Sequence, residues 1–535
     1  MAATKTSQSH PLIIEPVVIR DGRGAIGLTF CPGKKHLGNY GAWNRDLCTD
    51  LHAIQVFGAK ALVTLMESEE LDEVKVPVGL LGSWAKESGL EWHHLPVKDI
   101  DIPDDRFEDL WTYSGLRLRN TLARGDKIVI HCLGGLGRTG TVAGRLLVEF
   151  GDEPETAIKK IREARQGSIQ TAPQKNYVES CKHIAFARVL RSEEERILAC
   201  LLGGAIGDAL GYEVEFNNLQ KIRERFGEGG IKAPVFNQGK LVVSDDTQMT
   251  LFTLEGLLHS LKNGQTQQES CISSIRQAYL DWLDTQSLAA GSSRHHKLGW
   301  LAQQTEMRVR RAPGNTCLSA LSLGGHGTIN KPINNSKGCG GAMRVAPIGL
   351  IGPRGDAHTV FQQAAEAAAL THGHPSGYLS AAMVASIVSL LVDGKSLNSK
   401  SGSYEGRGAI DESCEILLTY PGHEETLAAV NGAVALAAKG SKDHAAAVET
   451  LGGGWVGEEA LAIALYAALS ANSFVEAILI AANHSGDSDS TASIAGQLWG
   501  AMNGLGGMPH DWVTNLDILL PLLHIARQLI ASNLH

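Results

Sequence analysis

HCLGGLGRTG, residues 131–140, decides how the first part of the chain folds. The stretch follows a run of strand-formers, DKIVI, and leads into TVAGRLLVEF, whose apolar residues fall at helical spacing. A cysteine needed only for packing requires no such loop. A strand-to-helix turn at a helix N-terminus, with its backbone N–H groups turned inward, is an anion cradle whose positive field favours thiolate over thiol. Gly134, Gly135 and Gly137 free the backbone for that turn. Arg138, six residues after Cys132, adds a planar fork that clamps two phosphoryl oxygens. Thiolate, cradle and arginine together predict phosphomonoester hydrolysis through a cysteinyl-phosphate. An acid must protonate the leaving oxygen, and KDIDIPDD offers Asp99, Asp101, Asp104 and Asp105 in a loop after a strand. Thr139 is placed to help the thiolate leave in the second step.

Outward from this loop, ALVTLME (61–67), EWHHLPV (91–97) and KIVIHC (127–132) read as short strands alternating with helical patterns such as FEDLWTYSGLRLRNTLA (107–123). That alternation predicts an α/β fold with a parallel-centred sheet over residues 1–190. After RSEEERILAC the character changes. Ala, Gly and Leu dominate RILACLLGGAIGDALG, LAAVNGAVALAAKG and EEALAIALYAALS, with apolar residues three and four apart, so residues 191–535 are expected to be all-α. VFNQGKLVVSDDT carries a weak extended signal, and DGKSLNSKSGSYEGRG (393–408) reads as a surface loop. The chain of 535 residues exceeds what one core supports, and two domains are expected.

Apolar residues make up 43% and charged residues 20%, an ordinary globular composition. The net charge of −9 gives no global pull toward nucleic acid or anionic membranes, so any anion must be held by a local site. The nine cysteines are scattered without a Cys-x-x-Cys pair, which argues against a disulfide framework or a zinc site. With no secretory pattern in MAATKTSQSHPLIIEP, a reducing cytoplasm is the expected location. GYLSAAMVASIVSLLV (377–392) is too short and too diluted by small residues for a membrane span and reads as a buried helix.

The second part holds two carboxylate clusters, VSDDTQM (243–249) and HSGDSDSTASIAG (484–496), each opening a helical stretch. One Asp pair before a helix is ordinarily an N-cap. Two such pairs in one helical unit, flanked by hydroxyls, form a set of hard oxygen donors suited to Mg²⁺: Ser244, Asp245, Asp246, Asp487, Asp489 and Ser490. GDALGYEVEF adds Asp208, Glu213 and Glu215, and the glycine-bearing RAPGNTCLSAL and GCGGAMRVAPIGL would let backbone N–H groups approach a diphosphate. His372, in LTHGHPSG, is a candidate to contact a base, with simple packing as the alternative.

Through GLTFCPGKK, WHHLPVKDIDIPD, IHCLGGLGRTG and GSIQTAPQKNYV, residues 24–182 resemble the dual-specificity branch of the protein tyrosine phosphatases, most closely its cyclin-dependent-kinase-associated members. The resemblance implies Asp99 as the general acid, Gln170 and Gln174 as water-positioning residues, and no cofactor. The order GDALG…VEF, SDDTQ, GCGGAMR, THGHP, GDSDSTASIAG over residues 196–531 resembles the ADP-ribosylglycohydrolase family, typified by dinitrogenase reductase-activating glycohydrolase and the ADP-ribosyl-acceptor hydrolases. That likeness implies two Mg²⁺ ions held by Asp245, Asp246, Asp487 and Asp489 with Ser244 and Ser490. It places Glu215 near the reacting centre and a diphosphate along Gly338, Gly340, Gly341 and Met343. The expectation is a bifunctional hydrolase acting on phosphoryl and ADP-ribosyl groups, on one phosphorylated ADP-ribose derivative or on two separate substrates. A non-catalytic binding protein is the alternative, and the presence of Cys132, Arg138 and all four aspartates argues against it.

Overall fold

The computed structural model describes residues 4–38, 41–184, 193–264, 268–286, 299–352, 355–398 and 407–532. Two compact units divide the chain, Met1–Ser192 and Glu193–His535. The expected boundary at 190/191 and residues 399–406 of the polar stretch lie outside the described residues.

In the first unit β1 (Glu15–Val18) and β2 (Ala25–Phe30) precede a hairpin of β3 (Lys35–Gly38) and β4 (Gly41–Asn44). Then come α1 (Leu47–Phe57), β5 (Ala59–Thr64), α2 (Ser68–Glu73), β6 (Glu91–His94), α3 (Asp105–Ala123), β7 (Lys127–Cys132), α4 (Gly137–Glu149) and α5 (Ala172–Ser180). The sheet runs β1-β2-β7-β5-β6, with β1 antiparallel on its edge and the other neighbours parallel. Strand β7 is central, and Ile128, Val129 and Ile130 are fully buried. Burial on both faces explains why the strand reads as an unbroken apolar run rather than an alternation. Its carboxyl end delivers Cys132 to the loop, and α4 begins five residues later, so the loop sits where parallel sheets bind ligands. Strands β1 to β4 were not read from the sequence; β1, β3 and β4 have four residues each, and β2 joins the sheet through β7, about 100 residues away.

The second unit is helical, and no strand occurs in it among the described residues. The weakly extended VFNQGKLVVSDDT forms only isolated bridges, Asn237 with Lys240 and Leu241 with Leu516. Its helices include α6 (Glu193–Gly211), α7 (Asp245–Lys262), α8 (Pro375–Val392), α9 (Glu424–Lys439) and α10 (Ser488–Asn503). Helix α8 has the length and apolarity to cross a membrane, yet 94% of it is buried within the unit. Helices α6 and α10 pack backbone against backbone. A Cβ built on Gly203, Gly207 or Gly211 of α6 would fall 2.0–2.3 Å from carbonyl oxygens of α10, and one on Gly496 or Gly500 would fall 2.1 Å from those of α6. The two backbones are in contact. This pins the N-terminus of α10, which carries Asp487, Asp489 and Ser490, against the end of α6 that carries Asp208.

Candidate functional sites

In the first unit the loop after β7 curls around the Cys132 sulfur, and Gly135 N–H donates to it at 3.2 Å. Gly135 has φ +72°, and a Cβ there would meet Thr29 O at 2.2 Å, so both conformation and space demand glycine. Arg138 is fixed by Glu70 of α2, which accepts from Nη1 at 2.6 Å and from Nη2 at 2.9 Å, while Val97 O accepts from Nη1 at 2.9 Å. Asp99 lies 2.9 Å from Nη2 with its side chain 60% exposed. Burial and then the Glu70 contact act in opposite senses on the guanidinium, and the net effect raises its pKa. Arg138 Nε is buried without a partner, a donor left over for a phosphoryl oxygen.

A cavity of about 420 Å³ contains Cys132, Gly134, Gly137, Arg138, Asp99, Gln170 and Gln174. Gln174 holds the loop before α5 by accepting from Gln170 N at 2.9 Å and donates to Asp101 O at 3.2 Å. Thr139 is buried, its hydroxyl without a partner. Asp101 caps its own neighbour Ile102, and Asp104 is the N-cap of α3, which separates both from Asp99 in role. His131, beneath the loop, shares a 2.8 Å hydrogen bond with Thr64 Oγ1, and burial pushes its pKa down to about 3. The rest of the cavity wall, Lys5, Lys34, His36 and Trp43 among it, and the Glu70 anchor were not read from the sequence. They come from the N-terminal segment, the hairpin and α2, joined to the loop only by tertiary structure.

In the second unit a cavity of about 480 Å³ is lined by Glu215, Asp245, Asp246, Asp487, Asp489 and Ser490, with Gly338, Gly340, Met343 and His372. Segments about 240 residues apart meet there. Ser244 caps α7 by accepting from Asp246 N at 3.1 Å, and Asp487 caps α10. Asp208 is a bracket behind the wall: Ser244 N, Thr247 N and Thr247 Oγ1 donate to it at 2.9, 3.0 and 2.5 Å. Ser244 and Gly341 are buried behind the cavity wall, and Glu213 is turned outward to pair with Arg225. His372 contacts Thr371 Oγ1 at 2.8 Å, and burial, then Arg344, pushes its pKa down to about 3.

The acids repel one another. Burial, then Asp487, Asp245 and Asp208, pushes Glu215 up to about 9. Burial and the charges of Asp208 and Asp487 push Asp245 up to about 8, and Asp246 and Asp489 are raised well above the carboxylate range for the same reasons. Oxygens of Glu215, Asp487 and Asp489 lie within 4.8 Å of one another, and Asp246 Oδ2 and Glu215 Oε2 are buried without a partner. Buried, crowded, unpaired hard oxygens fit a divalent cation of the Mg²⁺ class. Cys339 is turned to the same group, its thiol donating to Asp487 Oδ2 at 2.7 Å. At the cavity's edge the exposed rings of Phe216 and Trp455 stack with centroids 6.2 Å apart. Phe216 closes the GDALGYEVEF segment, and a tryptophan directly after three glycines (452–455) is the sequence signal that marks Trp455.

Comparison with known proteins follows the same division. The profile of the ADP-ribosylglycohydrolase family matches residues 190–534. That of the Swiss Army Knife protein, DSP-PTPase phosphatase domain, matches residues 44–178. Rat cyclin-dependent kinase inhibitor 3 is 32% identical over 156 residues, 29% of this chain and 69% of that protein. The ADP-ribosyl-[dinitrogen reductase] glycohydrolase of Rhodospirillum rubrum is 25% identical over 337 residues, 61% of this chain and 92% of that protein. Among solved structures, kinase-associated phosphatase with its catalytic cysteine replaced by serine aligns with 28% identity and a TM-score of 0.28, over 31% of this chain and 92% of that one.

Proposed function

Because the chain belongs to the ADP-ribosylglycohydrolase family and carries ahead of that domain a phosphatase domain of the dual-specificity class, both of them enzyme families, we propose a bifunctional hydrolase with one active site per unit. In the first, the Cys132 sulfur attacks phosphorus; the S–P bond forms as the P–O ester bond breaks, and Asp99 gives its proton to the departing oxygen. Arg138 moves its free Nε and the Nη2 now on Asp99 to the equatorial oxygens, while Glu70 keeps the fork in plane. Water, held by Gln170 and Gln174, then attacks phosphorus, loses a proton to Asp99 and releases the thiolate and inorganic phosphate.

In the second, Asp245, Asp246, Asp487, Asp489 and Ser490 are the residues that would hold divalent cations, read as two Mg²⁺ ions. Bound there, they would supply Lewis acidity beside the glycosidic bond. Glu215 orients water in the same cavity, Gly338 and Gly340 offer a side-chain-free approach for a diphosphate, and Phe216 with Trp455 frames the entrance. Water adds to the anomeric carbon as its bond to the acceptor atom breaks, and the acceptor leaves with a proton.

The observation that supports this reading best is convergence of groups that folding would otherwise keep apart: five buried acids from three segments of the second unit crowd one cavity. The test gives the full chain, Cys132→Ser and Asp487→Ala/Asp489→Ala an aryl phosphate, ADP-ribosyl-arginine, ADP-ribosyl-serine and a phosphorylated ADP-ribose. Each variant is expected to lose its own reaction by at least about a thousand-fold and keep the other. Consumption of phosphorylated ADP-ribose by both sites supports one shared substrate; turnover by neither site overturns the bifunctional reading.

A further inference from the structure

The cations in the phosphatase cavity outnumber what one phosphate needs. Gly135 N–H, its neighbours in the loop and Arg138 already serve a phosphoryl group. Lys34 and Lys5 stand in the same wall, and its one carboxylate, Asp99, is engaged with Arg138. Lys34 is 5% exposed, and after burial the groups acting most strongly on it are Cys31, Arg45, Cys132 and Arg165. Its ammonium spends one donor on Leu133 O at 3.0 Å. A buried ammonium is costly unless anionic groups meet it.

The fold nevertheless fixes it in place. Asp50 of α1 accepts from Gly33 N at 2.9 Å and takes both arms of Arg45 at 2.7 Å, while Arg45 N donates to Lys34 O at 3.2 Å. That carboxylate is therefore satisfied by Gly33 and Arg45. Lys5 is brought over the cavity by the N-terminal segment, which pairs with β4: Lys5 N donates to Ala42 O and Asn44 N to Lys5 O, both at 2.9 Å. The Trp43 ring gathers the two ammonium groups, with Lys34 Nζ 4.7 Å and Lys5 Nζ 5.0 Å from its centroid. Two like charges held round one indole form a receptor for an anion.

Resting on the phosphatase reading, we infer that this cavity is built for a small phosphomonoester bearing a second phosphate or diphosphate group, seated between Lys5 and Lys34 while Cys132 and Arg138 hold the ester that is cleaved. Lys34 lies inside the same 420 Å³ cavity as Cys132, within the size range of small-molecule sites, so one compact ligand can present both anions. His36, in the same wall, is held toward its neutral form by burial and then by Lys34 and serves as a hydrogen-bond partner rather than a third charge.

The test measures kcat/KM of the full chain for matched pairs, adenosine 3′,5′-bisphosphate against adenosine 5′-monophosphate and fructose 1,6-bisphosphate against fructose 6-phosphate. p-Nitrophenyl phosphate and an acidic phosphothreonine peptide run beside them. At least one bisphosphate is expected to exceed its monophosphate by about ten-fold or more, a preference that shrinks as salt rises. Lys5→Ala and the volume-matched Lys34→Met are each expected to lower that ratio by about ten-fold, chiefly through KM. Aryl phosphate turnover with a ratio near one for both pairs, a ratio unmoved by both variants, or a peptide outrunning every bisphosphate overturns the inference and leaves the hydrolase reading standing. Absence of aryl phosphate turnover overturns both.

Discussion

Two adjacent glycines of the phosphate loop are not equivalent. Gly135 is left-handed and pressed on Thr29 O, whereas Gly134 has open space around its Cβ position and no positive φ. Gly135→Ala meets both a left-handed penalty of about 1–2 kcal/mol and an overpacking cost of about 1–3 kcal/mol, and it moves the N–H that faces Cys132. It is expected to lower stability by several kcal/mol and abolish phosphate release. Gly134→Ala is expected to stay within about 1 kcal/mol of the parent and remain active. Denaturant midpoints and aryl phosphate turnover of the two variants check this; equal damage from both would overturn it. His131, one residue before the nucleophile, sets a pH dependence. Its folded pKa is about 3 against 6.5 for an ordinary histidine, so the folded chain refuses a proton that the unfolded chain accepts. Its contribution is complete above pH 6.5 and is lost as pH falls from there toward 3, at about 1.4 kcal/mol per unit. Between pH 7 and 5 the parent is expected to lose about 2 kcal/mol more than His131→Gln, which keeps a partner for Thr64. Denaturant titrations at both pH values, with the first unit's transition identified by its response to orthovanadate, measure the difference. Identical losses would refute the assignment.

At the scale of elements, the α6–α10 contact does for the acid cavity what the β7–α4 turn does for the thiol. Both bring a helix N-terminus to a fixed place. The helical character of GGAIGDALG was legible from its three- and four-residue apolar spacing, but the glycines within it read only as small residues. Their meaning depends on a partner helix some 285 residues away, which no local pattern encodes. The contrast with α9 makes the point measurable. Gly432 there is exposed, with nothing within 4 Å of a Cβ, so Gly432→Ala is expected to gain about 0.5–1 kcal/mol from helix propensity alone. Gly207→Ala makes the same propensity gain, yet its Cβ would fall 2.0 Å from Ala492 O. Two backbones must part, and the variant is expected to lose about 3 kcal/mol or more together with ADP-ribosyl hydrolysis. Calorimetry of the two variants gives opposite signs if the glycine contact holds α10; the same sign in both would contradict it. The hairpin and N-terminal segment were illegible for a related reason. Trp43 and Lys5 carry no motif, Lys34 lies in GLTFCPGKK without standing out there, and tertiary contacts bring them to the loop: Lys5 pairs with β4 and Lys34 donates to Leu133 O.

Over the whole molecule, the two cavities handle charge in opposite ways. One collects cations for anions to enter, and the other collects buried acids that repel one another. The sequence showed both sets of acids and the cradle because each sits in a short motif, whereas Glu70, Lys5, His36 and Trp43 reach their site from elements whose spacing shows nothing unusual. The crowding in the second unit has a thermodynamic consequence separate from turnover. Mutually repelling buried acids cost stability when no cation is present, and a cation that binds the folded state alone stabilises by RT ln(1 + [L]/Kd), about 2.7 kcal/mol at a hundred-fold excess over Kd. Calorimetry of the full chain is therefore expected to show Mg²⁺ raising the second unit's transition and a chelator reversing it, with the vanadate-responsive transition unmoved. Asp489→Asn, which removes one charge from the cluster at nearly constant volume, is expected to raise the metal-free transition and erase most of the Mg²⁺ response. The opposing signs separate this from a generic structural lesion, which would lower the metal-free transition. A variant that is destabilised without metal yet still fully rescued by it would mean that Asp489 packs the wall and holds no cation.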